Sequence, residues 1–362
     1  MKTFCNFDDS FLAYIKERSA QFYPKTDIDL PPGGIAKLQL IKNDQDEINT
    51  ELLKKALASI TQKHPISVEL AGHGTFHAIY RLQCNGARYI IRTNTQNRSW
   101  PDYTLYVDKW AMEILNVHSL PSVEVHKIDL SRSICPFDYE ILDEARGKTL
   151  ASIVDRIDPA RWYLVTLSGK LAAKIHSIKT MRYGLVCPVK SSGGLCTGML
   201  NSWKDYIFLN LDYHIALCKK IKAISHGEAS RIKDYFFASL ELLECREPSL
   251  LHGDFGHHNV FSDGTDITAI IDWEDCLSGD PIFDVAYWGT FYSDEMLQSF
   301  LEGYFESRAE PAIFWHKYWL YYLRISLSKT IHRHIFGYKD IPGRPPASTR
   351  IQKAMERLNH IY

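Results

Sequence analysis

Long hydrophobic runs are missing from the 362 residues, and the apolar stretches fall far short of the roughly 20 residues that span a bilayer. No membrane association is expected. No secretory leader is expected either: the opening MKTFCNFDDSFLAYIKER puts Asp8 and Asp9 where a signal peptide needs its apolar core. The eight cysteines, at 5, 84, 135, 187, 196, 218, 245 and 276, include no C-x-x-C pair, which argues against a zinc ribbon or a thioredoxin-like site. Without an export signal they read as reduced thiols of a cytoplasmic protein. Net charge is nearly absent, with Lys+Arg 42 against Asp+Glu 43, so no global field draws nucleic acid or an anionic membrane. From Tyr321 to Tyr362 there are eight Lys/Arg against two Asp/Glu. This stretch, through Lys339, Arg344 and Arg350, reads as a solvated face and lacks the aromatic interleaving of a single-strand nucleic-acid binder.

What remains is a globular composition long enough for two domains or one two-lobed unit. Residues 1–45 form an N-terminal extension with one short helix around Asp9–Gln21. From Asp46 to Gln62, Ile48, Leu52, Leu53, Ala56, Leu57 and Ile60 recur at helical spacing, and Pro65 stops the run. Phe76, Ala78, Tyr80 and Leu82 then alternate with Thr75, His77, Ile79 and Arg81, the period-2 pattern of a strand. Asn85-Gly86 is a hairpin turn, and Arg88–Thr93 is the returning strand. A helix marked by Tyr103, Val107, Trp110, Ile114 and Val117 precedes two further strands at 123–128 and 137–142. Past residue 144 the character becomes helical, with a stripe at Leu164, Leu167, Leu171, Ile175 and Ile178. The spacing thus predicts an α+β protein: a β-rich lobe over 46–144 and a larger α-helical lobe over 145–362.

The densest polar cluster inside an apolar setting is Leu250-Leu251-His252-Gly253-Asp254-Phe255-Gly256-His257-His258-Asn259, followed by Ile270-Ile271-Asp272-Trp273-Glu274. Strands deliver Asp254 and Asp272 to loops, and Asn259 closes the first loop. Three oxygen donors of this kind suit Mg²⁺, which takes octahedral oxygen ligands and shares its shell with phosphates and water. Asp254 and Asn259 have the Asp-x-x-x-x-Asn spacing of a kinase catalytic loop. The triplet Asp254-Phe255-Gly256 spells a kinase metal motif, but it lies before the Asn. The metal role therefore falls to Asp272 and the base role to Asp254. Any one of these carboxylates alone would read as a solvated turn cap; the combined set does not.

HGDFGHHN at 252–259 and IIDWEDCLSGDPIFDVAYW at 270–288 resemble the aminoglycoside phosphotransferase family, most nearly its hygromycin-phosphotransferase-like members, over roughly residues 47–340. The resemblance implies a bilobal protein-kinase-like fold with ATP or GTP as donor, Mg²⁺ as cofactor and a small-molecule hydroxyl as acceptor, most simply an aminoglycoside or aminocyclitol antibiotic. A metabolic small-molecule kinase, or a nucleotide-binding pseudokinase serving as an interaction module, remain as alternatives. Gly72, Gly74 and Thr75 become the nucleotide loop, where backbone N–H groups approach phosphates. The family places a cation on the third strand, paired to a helix carboxylate. No lysine occurs from His64 to Asp108, so Arg92 is assigned the cation and Glu113 its partner, with Arg88 second. Ala145-Arg146-Gly147 resembles the interlobe hinge. Glu274 and Asp275 either present negative charge to a cationic acceptor or form a solvated helix-capping pair. His176 and His252 read as packing residues, and the stripe of Tyr287, Trp288, Tyr292, Trp315, Tyr318, Trp319 and Tyr321 as core.

Overall fold

The computed structural model describes residues 9–24, 26–27, 48–61, 65–74, 77–94, 101–187, 197–340 and 345–362. The chain divides into two compact units, one of Met1–Tyr14, Asp29–Arg146 and Ala269–Glu274, the other of Ile15–Ile28, Gly147–Thr268 and Asp275–Tyr362. Helix α1 (Asp9–Ser19) starts in the first unit and ends in the second.

In the first unit the helical spacing after residue 46 becomes α2 (Thr50–Thr61), which buries Leu53, Ala56 and Leu57. Strands β1 (Ser67–His73), β2 (His77–Cys84) and β3 (Ala87–Asn94) follow. Helix α3 (Thr104–Val117), β4 (Val125–Asp129) and β5 (Asp138–Asp143) complete the set. The strands form an antiparallel sheet in the order β1-β2-β3-β5-β4. Alternation along β2 turns Ala78, Tyr80, Leu82 and Cys84 inward, where they meet Leu53, Ala56 and Leu57 together with Ile91, Tyr139 and Ile141. Each large side chain so buried contributes about 1.5–3 kcal/mol. Phe76, expected on the same face, lies outside the described residues. Register sets Arg92 of β3 opposite Glu140 of β5.

The second unit opens with β6 (Lys148–Thr149) and α4 (Leu150–Ile153). The apolar stripe after residue 163 gives α5 (Tyr163–Ile175), followed by β7 (Tyr183–Val186) and β8 (Gly198–Leu200). Helices α6 (Trp203–Phe208), α7 (Leu211–Lys220) and α8 (His226–Ala238) lead to β9 (Ser249–Leu251). Strands β10 (Val260–Ser262), β11 (Ile267–Ile270) and β12 (Leu277–Gly279) come next, and β11 carries the chain back into the first unit. Last are α9 (Pro281–Gly289), α10 (Asp294–Tyr304), α11 (Phe314–Phe336) and α12 (Ala347–Asn359). A four-stranded sheet, β8-β7-β12-β9, holds the strand that feeds residue 254. Helices α5 and α10 approach so closely that a Cβ on Gly169 would sit 2.0 Å from the carbonyl oxygen of Phe300, and one on Gly303 would sit 1.9 Å from that of Thr166.

The aromatic stripe is core as expected, save Trp315, which stays exposed. The expected solvated basic face is corrected. Arg324, Lys329 and Arg350 are buried, while Lys339 is exposed and Arg344 lies outside the described residues. Helix α11 is buried on nearly every side, so its cations need internal partners. Arg324 donates to the carbonyls of Ile207 and Leu209, and Arg350 to that of Pro345. Burial lowers both guanidinium pKa values to about 10. Among the described residues no helix is long and apolar enough to cross a membrane.

Candidate active site

The first unit gathers charge around Arg92, which is buried at the sheet. Its Nη2 donates to Asp272 Oδ1 at 2.8 Å and Glu274 Oε2 at 2.6 Å, and Nη1 donates to Glu140 Oε1 at 3.2 Å. His77 Nδ1 lies 3.2 Å from Nη2, and Asp108 Oδ2 lies 3.6 Å from Nη1. One guanidinium thus faces four carboxylates. Burial opposes its charge, yet Glu274, Asp272, Glu140 and Asp108 hold Arg92 well above the ordinary arginine range. The surplus negative charge shows on the acids. Burial, with Asp272 and Glu274 nearby, raises Asp108 to about 6 against the pull of Arg92. Burial and the neighbouring Asp108 push Glu140 well above the usual carboxylate range. Asp272 sits in the left-handed region at φ 68°, sparsely populated for a non-glycine residue and common at functional sites.

The expected Arg92–Glu113 pair is corrected to Arg92–Asp108. Helix α3 turns Leu105, Asp108, Ala111, Met112 and Leu115 inward. Five residues separate Asp108 from Glu113, about 140° around an α-helix, so Glu113 lies on the outer side. There its side chain is 63% exposed and 3.8 Å from Lys109. Asp108 also accepts the Trp273 backbone N–H, tying the helix to the segment that bears Asp272. Arg88, second in line, pairs with Glu144 near the surface. Glu274 and Asp275 are both buried, which corrects the solvated-pair alternative, and the Glu274 carboxylate is engaged by Arg92. Of the expected nucleotide loop, Gly72 closes β1 beside a bulge and Gly74 N–H donates to the His77 carbonyl at 2.7 Å. Thr75 lies outside the described residues.

In the second unit, β9 ends at the loop of Asp254. Gly253 adopts φ 81°, and a Cβ there would lie 2.1 Å from the Asp275 carbonyl oxygen, so only glycine lets the two backbones approach. Asp284 of α9 accepts the N–H groups of His252 at 2.5 Å and Gly253 at 2.9 Å. His176, expected as packing, does more: its Nε2 is 3.3 Å from Asp284 and its Nδ1 2.9 Å from the Tyr304 hydroxyl. His252 Nδ1 accepts the Asp254 N–H at 3.2 Å, which fixes its tautomer. The Asp254 carboxylate lies 3.5 Å from His258 Nε2, and burial, with the Asp254 charge nearby, raises the Tyr287 hydroxyl well above its ordinary pKa. Asn259 Nδ2 donates to the Asp254 carbonyl at 3.1 Å, so its amide oxygen is the atom that can meet a cation. Asp275 is buried and lines a small cavity with Gly253, Tyr287 and Lys329. Sequence reasoning missed Asp108, Glu140 and Tyr287 as site residues. The first two carried one signal, an acid within an apolar run.

Comparison with known proteins places these features in a class. The fold is that of kinase-like phosphotransferases. Aminoglycoside phosphotransferase APH(4)-Ia superposes with a TM-score of 0.60 at 22% identity, covering 86% of this chain and 98% of that one. A Thermobifida fusca protein assigned as a fructosamine-3-kinase gives a TM-score of 0.60 at 15% identity, with 85% and 98% covered. In sequence, the chain is 25% identical to hygromycin-B 4-O-kinase from Escherichia coli over 266 residues, 72% of this chain and 73% of that protein. Residues 68–317 match the phosphotransferase enzyme family, and the chain belongs to it. It is a small-molecule O-phosphotransferase.

Proposed function

We propose that the enzyme moves the γ-phosphoryl group of ATP or GTP to a hydroxyl of an aminoglycoside or related aminocyclitol. The observation that carries this reading is the preparation of Asp254. Its backbone follows a loop clamped by Asp284, and its own N–H donates to His252 Nδ1. Asp254 accepts the proton of the acceptor hydroxyl, the role of the catalytic-loop Asp in kinases. Asn259 through its amide oxygen and Asp272 through its carboxylate are hard oxygen donors of the kind Mg²⁺ requires. When bound, that ion neutralises charge on the phosphates. Arg92 fixes Asp272, and Gly72, Gly74 and Thr75 are assigned to the nucleotide phosphates. Similarity to hygromycin-B 4-O-kinase supports the acceptor class, as does the ternary complex of an APH(4)-Ia variant with AMP-PNP and hygromycin B.

One observation favours a second reading, a metabolic kinase for a sugar, amino alcohol or natural-product intermediate. With Glu274 engaged by Arg92, one of the two acids that would meet a polycation is already paired, which favours a weakly charged acceptor. Mg²⁺-ATP turnover against hygromycin B, a fructosamine and a neutral sugar separates the two. Transfer to hygromycin B alone supports the first reading, and transfer to the others alone replaces it with the second.

A further inference from the structure

Two histidines stand side by side in the loop between Asp254 and Asn259, and neither has a role in the transfer described so far. The fold sends them opposite ways. His257 is buried, its ring 4.2 Å from that of Tyr292 and edge-on to Trp288. Its N–H donates to the Tyr292 hydroxyl at 2.7 Å, and its carbonyl accepts the Ala151 N–H at 3.0 Å. Arg156 lies 4.8 Å from the Tyr292 ring centre and donates to the Phe291 carbonyl at 2.9 Å. His257 therefore anchors the loop between α4 and the residues that follow α9.

His258 turns outward, with 45% of its side chain exposed. A side chain so exposed ordinarily exchanges rotamers within nanoseconds. Two contacts restrict this one. Gly256 lies against the ring, where a Cβ would fall 2.7 Å from Cε1 and 2.9 Å from Nδ1. Phe291 meets the ring edge-on, with centroids 5.6 Å apart. The Asn259 N–H closes the turn onto the Gly256 carbonyl at 3.0 Å. Held in this way, His258 brings Nε2 to 3.5 Å from Asp254 Oδ2. An ionised carboxylate only accepts, so the hydrogen sits on Nε2. The contact is long, as catalytic hydrogen bonds are before substrate tightens them.

We propose that His258 is a positioning residue for the transfer, its Nε2–H fixing the rotation of the Asp254 carboxylate, with Gly256 as the residue that makes room for the imidazole. The inference rests on the reading of Asp254 as the base. The last torsion of an aspartate is broad and two-fold. A donor held beside the carboxylate narrows that rotation before the acceptor hydroxyl arrives, and misplaced reacting groups are costly in rate.

The test reads steady-state transfer from Mg²⁺-ATP to the panel member that turns over, or Mg²⁺-ATP hydrolysis if none does. His258→Ala is expected to lower kcat about tenfold, the low end for a hydrogen bond to a charged group, with the KM for ATP unchanged. His258→Gln should recover most of that loss, because its amide carries an N–H at a similar reach. Gly256→Ala keeps the imidazole but displaces it. Gly256 has no positive φ, and the close contacts of an added Cβ are with the His258 ring alone. That variant should cost as much as His258→Ala, and the double variant no more than either. A wild-type kcat in His258→Ala or Gly256→Ala overturns the proposal. So do a glutamine variant as slow as alanine, multiplying losses in the double variant, and a raised KM for ATP. Thermal melts should match wild type. A Tm that falls in step with kcat would mean that His258 only holds the loop together, which overturns the proposal as well. Asp254→Asn separates the two levels. If it keeps near-normal turnover, the base reading fails and takes this inference with it. If it is inactive while His258→Ala is normal, the inference alone fails.

Discussion

The two units bury charge differently. In the first, one guanidinium collects Asp272, Glu274, Glu140 and Asp108, leaving an excess of negative charge at the sheet. In the second, Lys317 meets the single acid Asp280 at 2.7 Å, while Arg324 lies on Phe22 and Lys329 on Tyr287 and Phe291. In the first unit four acids share one cation, whereas in the second Arg324 and Lys329 have aromatic rings of their own.

The largest effect that can sharpen this contrast is at Asp254. Asp254→Asn is expected to lower turnover by about 10²–10⁴, the worth of a positioned base, while leaving nucleotide binding intact. Calorimetric titration with nucleotide beside a turnover assay checks both halves. A variant that lost nucleotide binding as well would move Asp254 out of the base role.

Next is Arg92. Arg92→Met leaves three buried carboxylates and the partly exposed Asp272 without their shared partner, a loss of about 3–5 kcal/mol. A denaturant titration followed by tryptophan fluorescence measures it. Arg92→Lys should restore only part of the loss, since an ammonium lacks the fork that grips Glu140 and Asp272 at once. Full rescue by lysine would mean that bare charge, not geometry, holds the cluster.

A pH effect of intermediate size belongs to Asp108. Its folded pKa is raised from 3.8 to about 6, so between these values the folded state binds more protons than the unfolded state. Its contribution to stability is therefore fully present below about pH 4 and declines as pH rises to about 6. Asp108→Asn keeps an acceptor for Trp273 N–H and removes the titrating group. The variant should lose that decline and be the more stable protein at pH 7, as midpoints across pH 4–7 would show. An unchanged pH dependence would place the titration elsewhere in the cluster. The smallest effect is at Glu113, exposed on α3. Glu113→Ala should shift stability within about 0.5 kcal/mol and leave the KM for ATP unchanged. A raised KM would return Glu113 to the nucleotide site.

Much of this was legible in the chain. Strand alternation at Ala78–Leu82 and helical spacing at Leu53–Leu57 report local periodicity, which survives folding because each element must bury one face. The loop from His252 to Asn259 was legible for a similar reason, since its chemistry sits within eight consecutive residues. The partner of Arg92 was not. Choosing Asp108 over Glu113 needs the rotational phase of α3 against the sheet, and spacing alone does not supply that phase. The basic C-terminal stretch misled because composition counts Arg324 and Arg350 as charges and says nothing of the carbonyls that receive them.

By itself, then, the order of residues determined the elements, the break from β-rich to helical character and the family. Only the tertiary structure decided that Arg92 gathers four acids and that Asp284 clamps the loop before Asp254. The reason is physical: periodicity acts between neighbours in the chain. Burial instead pairs charges from 16 to 182 residues apart, as around Arg92, through sheet register, helix phase and the shape of a core that exists only once the chain has folded.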